Sequence, residues 1–377
     1  SFLTAVFVCR LLLEAYAKKE NAKELNFTTK LMQNFLQNTK ANFIGARKVT
    51  YIVSGVLVVI GILGVNPHIM GKLNLGIDFS GGRNYIIRFA EPVNTQEVNA
   101  ALDNVFMEAK SELADEETFA LNVITIGDAN QVRVSTNYRI NDNSETLDDE
   151  IEALLYEGCK QFLPENVTLK EFTSTDINPE IGIMQSQKVG PAIADDITQS
   201  AVWAVLAALL GIFLYVLLRF RNFSFSVGAL AGLAHNTLIV LGAYALLWKV
   251  MPFSMEIDQS FIAAILTVIG YSINDTVVIF DRVREYTGLY PKRARKQNIN
   301  DALNQTLSRT FSTSMSTLVV LIAIFCFGGE TIRGFVFALI IGVVVGTYSS
   351  LCVATPLAYD IQEALDRRKA KKAALNK

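Results

Sequence analysis

Histidine and cysteine are scarce: the chain has 2 and 4 of them in 377 residues. His68 and His235 stand far apart, and Cys9, Cys159, Cys326 and Cys352 are scattered, so no metal-ligand spacing is present. Cys159 is the only cysteine between residues 67 and 195, which excludes an internal disulfide framework there. No G-x-x-x-x-G-K-[ST] loop occurs, so hydrolysis of ATP by this chain is not expected. We expect neither a metal nor a cofactor. Charge is thin as well, 19% of residues, against about 25% in ordinary soluble domains. The opening "SFLTAVFVCRLLLEAY" lacks signal-peptide flanks, with nothing basic before it and no small-residue cleavage site after it. It reads as the end of another membrane span.

Apolar residues are abundant, 51% of the chain. Runs near the ~20 residues needed to cross ~30 Å of hydrocarbon predict spans at about 49–66, 197–218, 224–248, 259–281, 310–328 and 332–358. Between 67 and 195 the chain holds 9 Lys and Arg against 22 Asp and Glu, whereas the remainder holds 25 against 14. This asymmetry marks the segment as a separate acidic body. The expected organisation is therefore 1–17 as the end of a preceding span, 18–48 as a linker, 49–66 as the first full span, 67–195 as a polar domain, 196–360 as five more spans and 361–377 as a basic tail. The basic segments 17–48, 219–223, 282–309 and the tail "DRRKAKKAALNK" all fall on one side, which the positive-inside rule assigns to the cytoplasm. The acidic domain falls on the other. Strand-like 83–89, helical 95–109, a hairpin from 119–126 and 131–138, helical 145–163 and strand-like 167–174 follow the split β-α-β-β-α-β order. The expected fold class is a polytopic α-helical membrane protein, with six full spans, a partial N-terminal span and one ferredoxin-like α/β domain.

One carboxylate interrupts "SFIAAILTVIGYSINDTVVIF" (260–280): Asp275, flanked by Ser272, Asn274 and Thr276. A charged Asp at the centre of a span costs about 2.5–3.5 kcal/mol on insertion scales. Hydrogen bonding between helices accounts for Ser, Asn and Thr; it accounts for Asp less well, since Asn would serve. Two readings stand: a proton or ion carrier, or a locked structural pair. Arg309, at the start of the next span, is either its partner or a snorkelling interfacial anchor. His235 and Asn236 lie mid-span and read either as a relay or as packing. Gly228-x-x-x-Gly232 and Gly342-x-x-x-Gly346 permit close helix approach, and Pro356 with Ser349–Ser350 predicts a bend.

Four segments, "GIDFSGG" (76–82), "VGPAIADD" (189–196), "SINDTVVIFDRVRE" (272–285) and "NQTLSRTFSTS" (304–314), together resemble SecF, or the SecF half of a fused SecDF protein of the resistance-nodulation-division (RND) superfamily. The resemblance covers about 45–360, and the opening resembles the end of the last SecD-half span. It implies an accessory of the Sec translocon (SecYEG) in the bacterial cytoplasmic membrane, driven by the proton-motive force, with its large domain in the periplasm. The implied partners are a SecD half, the translocon, unfolded preprotein and membrane lipid, with no nucleic acid. It further implies that Asp275 and Arg309 belong to the proton pathway. In the family the third span usually carries His-Asp; here it is His235-Asn236, and Asn cannot carry a proton, which counts against that pair. Gly81-Gly82 allow a sharp turn with positive φ, braced by Asp78, and read as a hinge for the domain. The alternative is an RND-type exporter of lipids or small molecules, which would be expected to carry larger paired domains. An intramembrane aspartyl protease needs two deep carboxylates, and only Asp275 lies deep, so no enzyme is expected.

Overall fold

The computed structural model describes residues 7–18, 36, 39–65, 73–112, 119–126, 128–142, 144, 146–248 and 250–375. The chain divides into Ser1–Thr39 and Lys40–Lys377. In the first unit the helix α1 (Cys9–Ala17) carries exposed Leu11, Leu12 and Leu13 and an Arg10–Glu14 pair at 2.8 Å. His68 and most of the expected linker lie outside the described residues.

The second unit combines a helical bundle with an α/β domain. Its elements are α2 (Phe43–Val65), α3 (Ile77–Ser80), β1 (Gly82–Arg88), α4 (Thr95–Glu112), β2 (Leu121–Thr125), β3 (Gln131–Thr136), α5 (Leu147–Cys159), α6 (Leu169–Thr173), β4 (Gly182–Val189), α7 (Pro191–Phe220), α8 (Phe223–Leu247), α9 (Gln259–Leu289), α10 (Arg295–Phe327), α11 (Glu330–Ser349) and α12 (Thr355–Leu375). Among the described residues six helices are long and apolar enough to cross a membrane, with α11 and α12 counted as one. The stretch expected as a basic loop at 282–309 is instead mostly helix: α9 runs on to Leu289 and α10 starts at Arg295.

In the α/β domain the strand order is β2-β3-β1-β4, antiparallel throughout, the arrangement of a split βαβ fold. Period-two alternation puts Tyr85, Ile87, Val132 and Val134 on one face. They pack with Val98, Leu102 and Phe106 of α4 and Ile151 and Leu155 of α5. The expected last strand at 167–174 is a misreading. Thr168 and Glu171 form a capping box, with the Thr168 backbone N–H and hydroxyl both donating to Glu171 at 2.8 Å. That reciprocal cap favours a helical turn over the β-propensity of Val167 and Thr168. The strand that closes the sheet is β4, paired along β1. Gly81 and Gly82 take φ of 70° and 146°. A Cβ on Gly82 would fall 2.6 Å from the Thr136 carbonyl oxygen, so the turn needs glycine on both conformational and steric grounds. Asp78 does not brace its own turn; its carboxylate accepts from the Gln259 N–H at 3.2 Å, at the start of α9.

In the bundle, both Gly-x-x-x-Gly pairs meet a neighbouring backbone or side chain: Gly228 and Gly232 against Ala354, and Gly342 and Gly346 against Val268 and Ser272 of α9. Between α11 and α12 the chain makes a π turn at Ser350–Ala354. Pro356 has no N–H for the carbonyl one turn earlier. The Thr50 hydroxyl of α2 lies 3.0 Å from the Cys352 carbonyl oxygen and 3.0 Å from that of Arg47 in its own helix, so its one proton is shared between them and reaches Cys352 from another helix. Thr50→Val should leave that carbonyl bare and cost about 1–2 kcal/mol, read as a lowered unfolding midpoint in detergent with α-helical content unchanged.

The two Thr168 bonds hold the Glu171 carboxyl below the usual carboxylate range, backbone first and side chain second. A folded pKa below the unfolded one stabilises at pH above the unfolded value, and that stability is lost as pH falls through the folded value. Acid titration followed by amide exchange should therefore release 168–173 ahead of the sheet, and Glu171→Gln should abolish that step.

Candidate functional site

Helical periodicity sorts the polar residues of α9 by face. Ser272, Asp275 and Thr276 are buried against the bundle, whereas Asn274 is exposed on the opposite side. Arg309 of α10 is exposed, and Thr310 beside it is buried. The structure thus brings Ser272, Asp275 and Thr276 together and sets Asn274 apart.

The buried members lie in a polar seam across three helical segments. His235 Nδ1 lies 3.2 Å from Asn236 Oδ1, and Asn236 Nδ2 donates to Ser272 Oγ at 3.1 Å. Thr276 Oγ1 donates to the Ser272 carbonyl at 3.0 Å and lies 2.9 Å from Ser350 Oγ, which in turn bonds the Gly346 carbonyl at 2.9 Å. The bend at Ser349–Ser350 thereby supplies a hydroxyl to the middle of α9. The pair His235-Asn236 joins this seam through the Asn236 amide; among the described residues the imidazole Nε2 has no hydrogen-bond partner.

Asp275 is the one carboxylate that this seam leaves open among the described residues. Its buried Oδ2 has no hydrogen-bond partner among those residues, and neither has the buried Thr310 hydroxyl. Among the described residues no salt bridge joins Asp275 to Arg309, yet the guanidinium is near enough to act on the carboxylate electrostatically. Arg309 also lines a cavity of about 820 Å³ between the far ends of α7 and α9 and the first half of α10, together with Arg219, Asp281, Arg282, Glu285 and Thr306. There the charges pair with one another: Arg219–Asp281 at 3.1 Å, Arg284–Asp281 at 3.0 Å and Arg282–Glu285 at 2.5 Å. Asp281 lies six residues beyond Asp275, about 9 Å along the helix. A polar cavity therefore ends at an arginine beside a buried, unpaired carboxylate.

The α/β domain contributes a contact that sequence reasoning missed. Glu256, in the connection from α8 to α9, accepts from Arg133 Nη2 of β3 at 2.9 Å and from Asn122 Nδ2 of β2. The available signal was the pair of carboxylates Glu256 and Asp258 between two apolar runs in "FSMEID".

Residues 169–364 match the model of the family described as "Protein export membrane protein SecD/SecF, C-terminal", and 71–93 match the "SecD/SecF GG Motif". The Protein translocase subunit SecF of Rhodothermus marinus is 38% identical over 86% of this chain and 94% of its own. That of Haemophilus influenzae is 34% identical over 85% of each. The crystal structure of SecDF, a translocon-associated membrane protein from Thermus thermophilus, superposes with a TM-score of 0.71 at 27% identity, over 96% of this chain and 43% of that one. This chain thus spans less than half of the solved SecDF chain.

At Gly346 an added Cβ would fall 2.2 Å from Ser272 Oγ and 3.6 Å from Asn236 Nδ2. Gly346→Ala should therefore part α11 from α9 and break the Asn236–Ser272 bond. Overpacking of this kind costs about 1–3 kcal/mol, to be measured by thermal unfolding, with Ser272→Gly as the variant expected to restore the lost stability.

Proposed function

Because this chain belongs to the SecF family of protein-export membrane proteins, we propose that it is an accessory of the Sec translocon that uses proton passage at Asp275 and Arg309 to promote translocation across the bacterial cytoplasmic membrane. The observation that carries this reading is the Asp275 carboxylate, buried with Oδ2 unpartnered while its neighbours Ser272 and Thr276 are hydrogen-bonded. A structural aspartate would be paired, since an uncompensated charge in the bundle is costly. A carboxylate that takes up and releases a proton needs an open oxygen and a nearby charge that shifts its affinity. Arg309 supplies that charge, and the cavity beside it gives a route for the proton from the basic side.

The proposed partner in the membrane is a SecD half. Arg309 of α10 and Asn274 of α9 are exposed, whereas the exposed hydroxyls near them, Thr267, Thr313 and Ser316, bond carbonyls of their own helices. Lipid cannot satisfy a guanidinium or an amide, so another protein segment is the fitting cover. The acidic α/β domain would lie in the periplasm, where unfolded preprotein emerges, and would swing at Gly81–Gly82. Each proton crossing 100 mV supplies about 2.3 kcal/mol, and a few per cycle suffice to bias such a motion.

The test is Asp275→Asn in cells, with membrane levels matched, following export of a secreted protein under a proton-motive force. Export should drop to the level of cells lacking the protein, with Arg309→Met giving the same loss and Asp275→Glu retaining most activity. Unchanged export in Asp275→Asn would mean that the carboxylate is structural and that the chain assists by contact alone.

A further inference from the structure

The α/β domain is tied to the bundle at two places on opposite edges of its sheet. The covalent ties are side by side: Gly82 at the start of β1 pairs with Val189 at the end of β4, and the chain enters α7 two residues later. The other tie is Glu256. The strand order puts β2 and β3 on the side of β1 away from β4, and at about 4.8 Å per strand the β2 edge lies about 14 Å from β4. Asn122 and Arg133 are on the face of the sheet that carries no helix, since their neighbours Val123 and Val134 point into the core.

Glu256 is well suited to hold that edge. Its side chain is 10% exposed and that of Arg133 is 19% exposed, so water competes little for the pair. The carboxylate takes one bond from each of two strands, which fixes direction as well as distance. Met255 and Ile257 on either side are buried in the bundle. Ile257 exchanges backbone hydrogen bonds with the chain entering the domain, donating to Asn74 at 2.8 Å and accepting from Gly76 at 3.0 Å. Two residues on, α9 begins, capped by Asp258 and by Asp78. The segment before the hinge thus holds the first residues of the helix that carries Asp275, and the domain beyond the hinge holds Glu256 just ahead of them.

We propose that Glu256 is a positioning residue: it clasps the β2–β3 edge of the α/β domain to the start of α9, and the clasp opens when the domain turns about Gly81–Gly82 in the translocation cycle. This rests on the reading of the chain as a proton-driven translocation accessory. A sheet held at one edge by adjacent strands and at the other by a carboxylate can rotate only by releasing the carboxylate. A closed clasp fixes the domain relative to α9, and an open one frees it.

The experiment uses membrane vesicles carrying the full chain together with its SecD partner. Cysteines are placed beside the clasp at Ser135 and Ser254, with Cys9, Cys326 and Cys352 replaced by alanine, and joined by a short reducible thiol crosslinker. Joining them should reduce translocation to the level of Asp275→Asn, and cleaving the crosslinker should restore it in the same sample, which controls for misfolding. Separately, Glu256→Gln removes the charge and keeps an oxygen for Asn122. It should raise amide exchange in 121–136 and 253–258 about tenfold, as expected when a buried ion pair loses one partner, and should lower export. Normal translocation by the crosslinked form would overturn the proposal, as would unchanged exchange or unchanged export in Glu256→Gln. Asp275→Asn run alongside separates the two readings: if it exports normally while the crosslinked form does not, the proton reading fails and the clasp stands.

Discussion

Hydrocarbon offers no hydrogen bonds, so each polar group in the bundle must find its partner in the protein. That constraint organises the helices. Thr50 reaches across to a carbonyl that Pro356 leaves bare. Ser350 serves Thr276, Asn236 serves Ser272, and Gly346 leaves room for the second of these contacts. Among the described residues a few buried atoms stay open, His235 Nε2 and the Tyr271 and Thr310 hydroxyls among them, and Asp275 stands out because its Oδ2 is the one carboxylate oxygen in that group. An open buried carboxylate is tolerable only where its charge is transient or compensated, which is why the proposed function starts there.

Much of the bundle was legible in the sequence. Hydrophobic runs of one span's length identify six helices because the solvent imposes both length and composition. Asp275 and Arg309 were legible because charge in such runs is rare, and the Gly-x-x-x-Gly spacings because close packing needs small residues. Helix ends were less legible: α9 and α10 continue past the apolar stretch into charged sequence that forms helix equally well. The α/β domain gave its class but not its last strand. There the local capping box of Thr168 and Glu171 overrode β-propensity, and the real strand, "GIMQSQKV", carries four exposed residues in succession and lacks clean alternation. The separation of Asn274 from Ser272, Asp275 and Thr276 follows from helical periodicity that the sequence reading left unused, whereas the Glu256 contact depends on docking between segments more than a hundred residues apart, which periodicity does not encode.

The two charged sites follow different physics. The ion pairs around Asp281 are about a third to a half exposed, so each contributes little to stability. Their arrangement keeps a polar cavity open toward Arg309 at little energetic cost. Glu256 and Arg133 are more enclosed, and there loss of either partner leaves a charge poorly hydrated. Solvated charge suits a path for small ions, whereas enclosed charge suits a contact that is either made or absent.

The length of α9 has a mechanical consequence. Its backbone hydrogen bonds close within the helix, so it cannot stretch appreciably. Asp275 sits near the midpoint of its 31 residues, about 24 Å from the first and about 21 Å from the last at 1.5 Å per residue. An inextensible rod pushed or turned at its middle moves both ends together. The end held by the α/β domain and the end that borders the arginine-lined cavity therefore share one displacement, so no separate relay of contacts is needed to connect them.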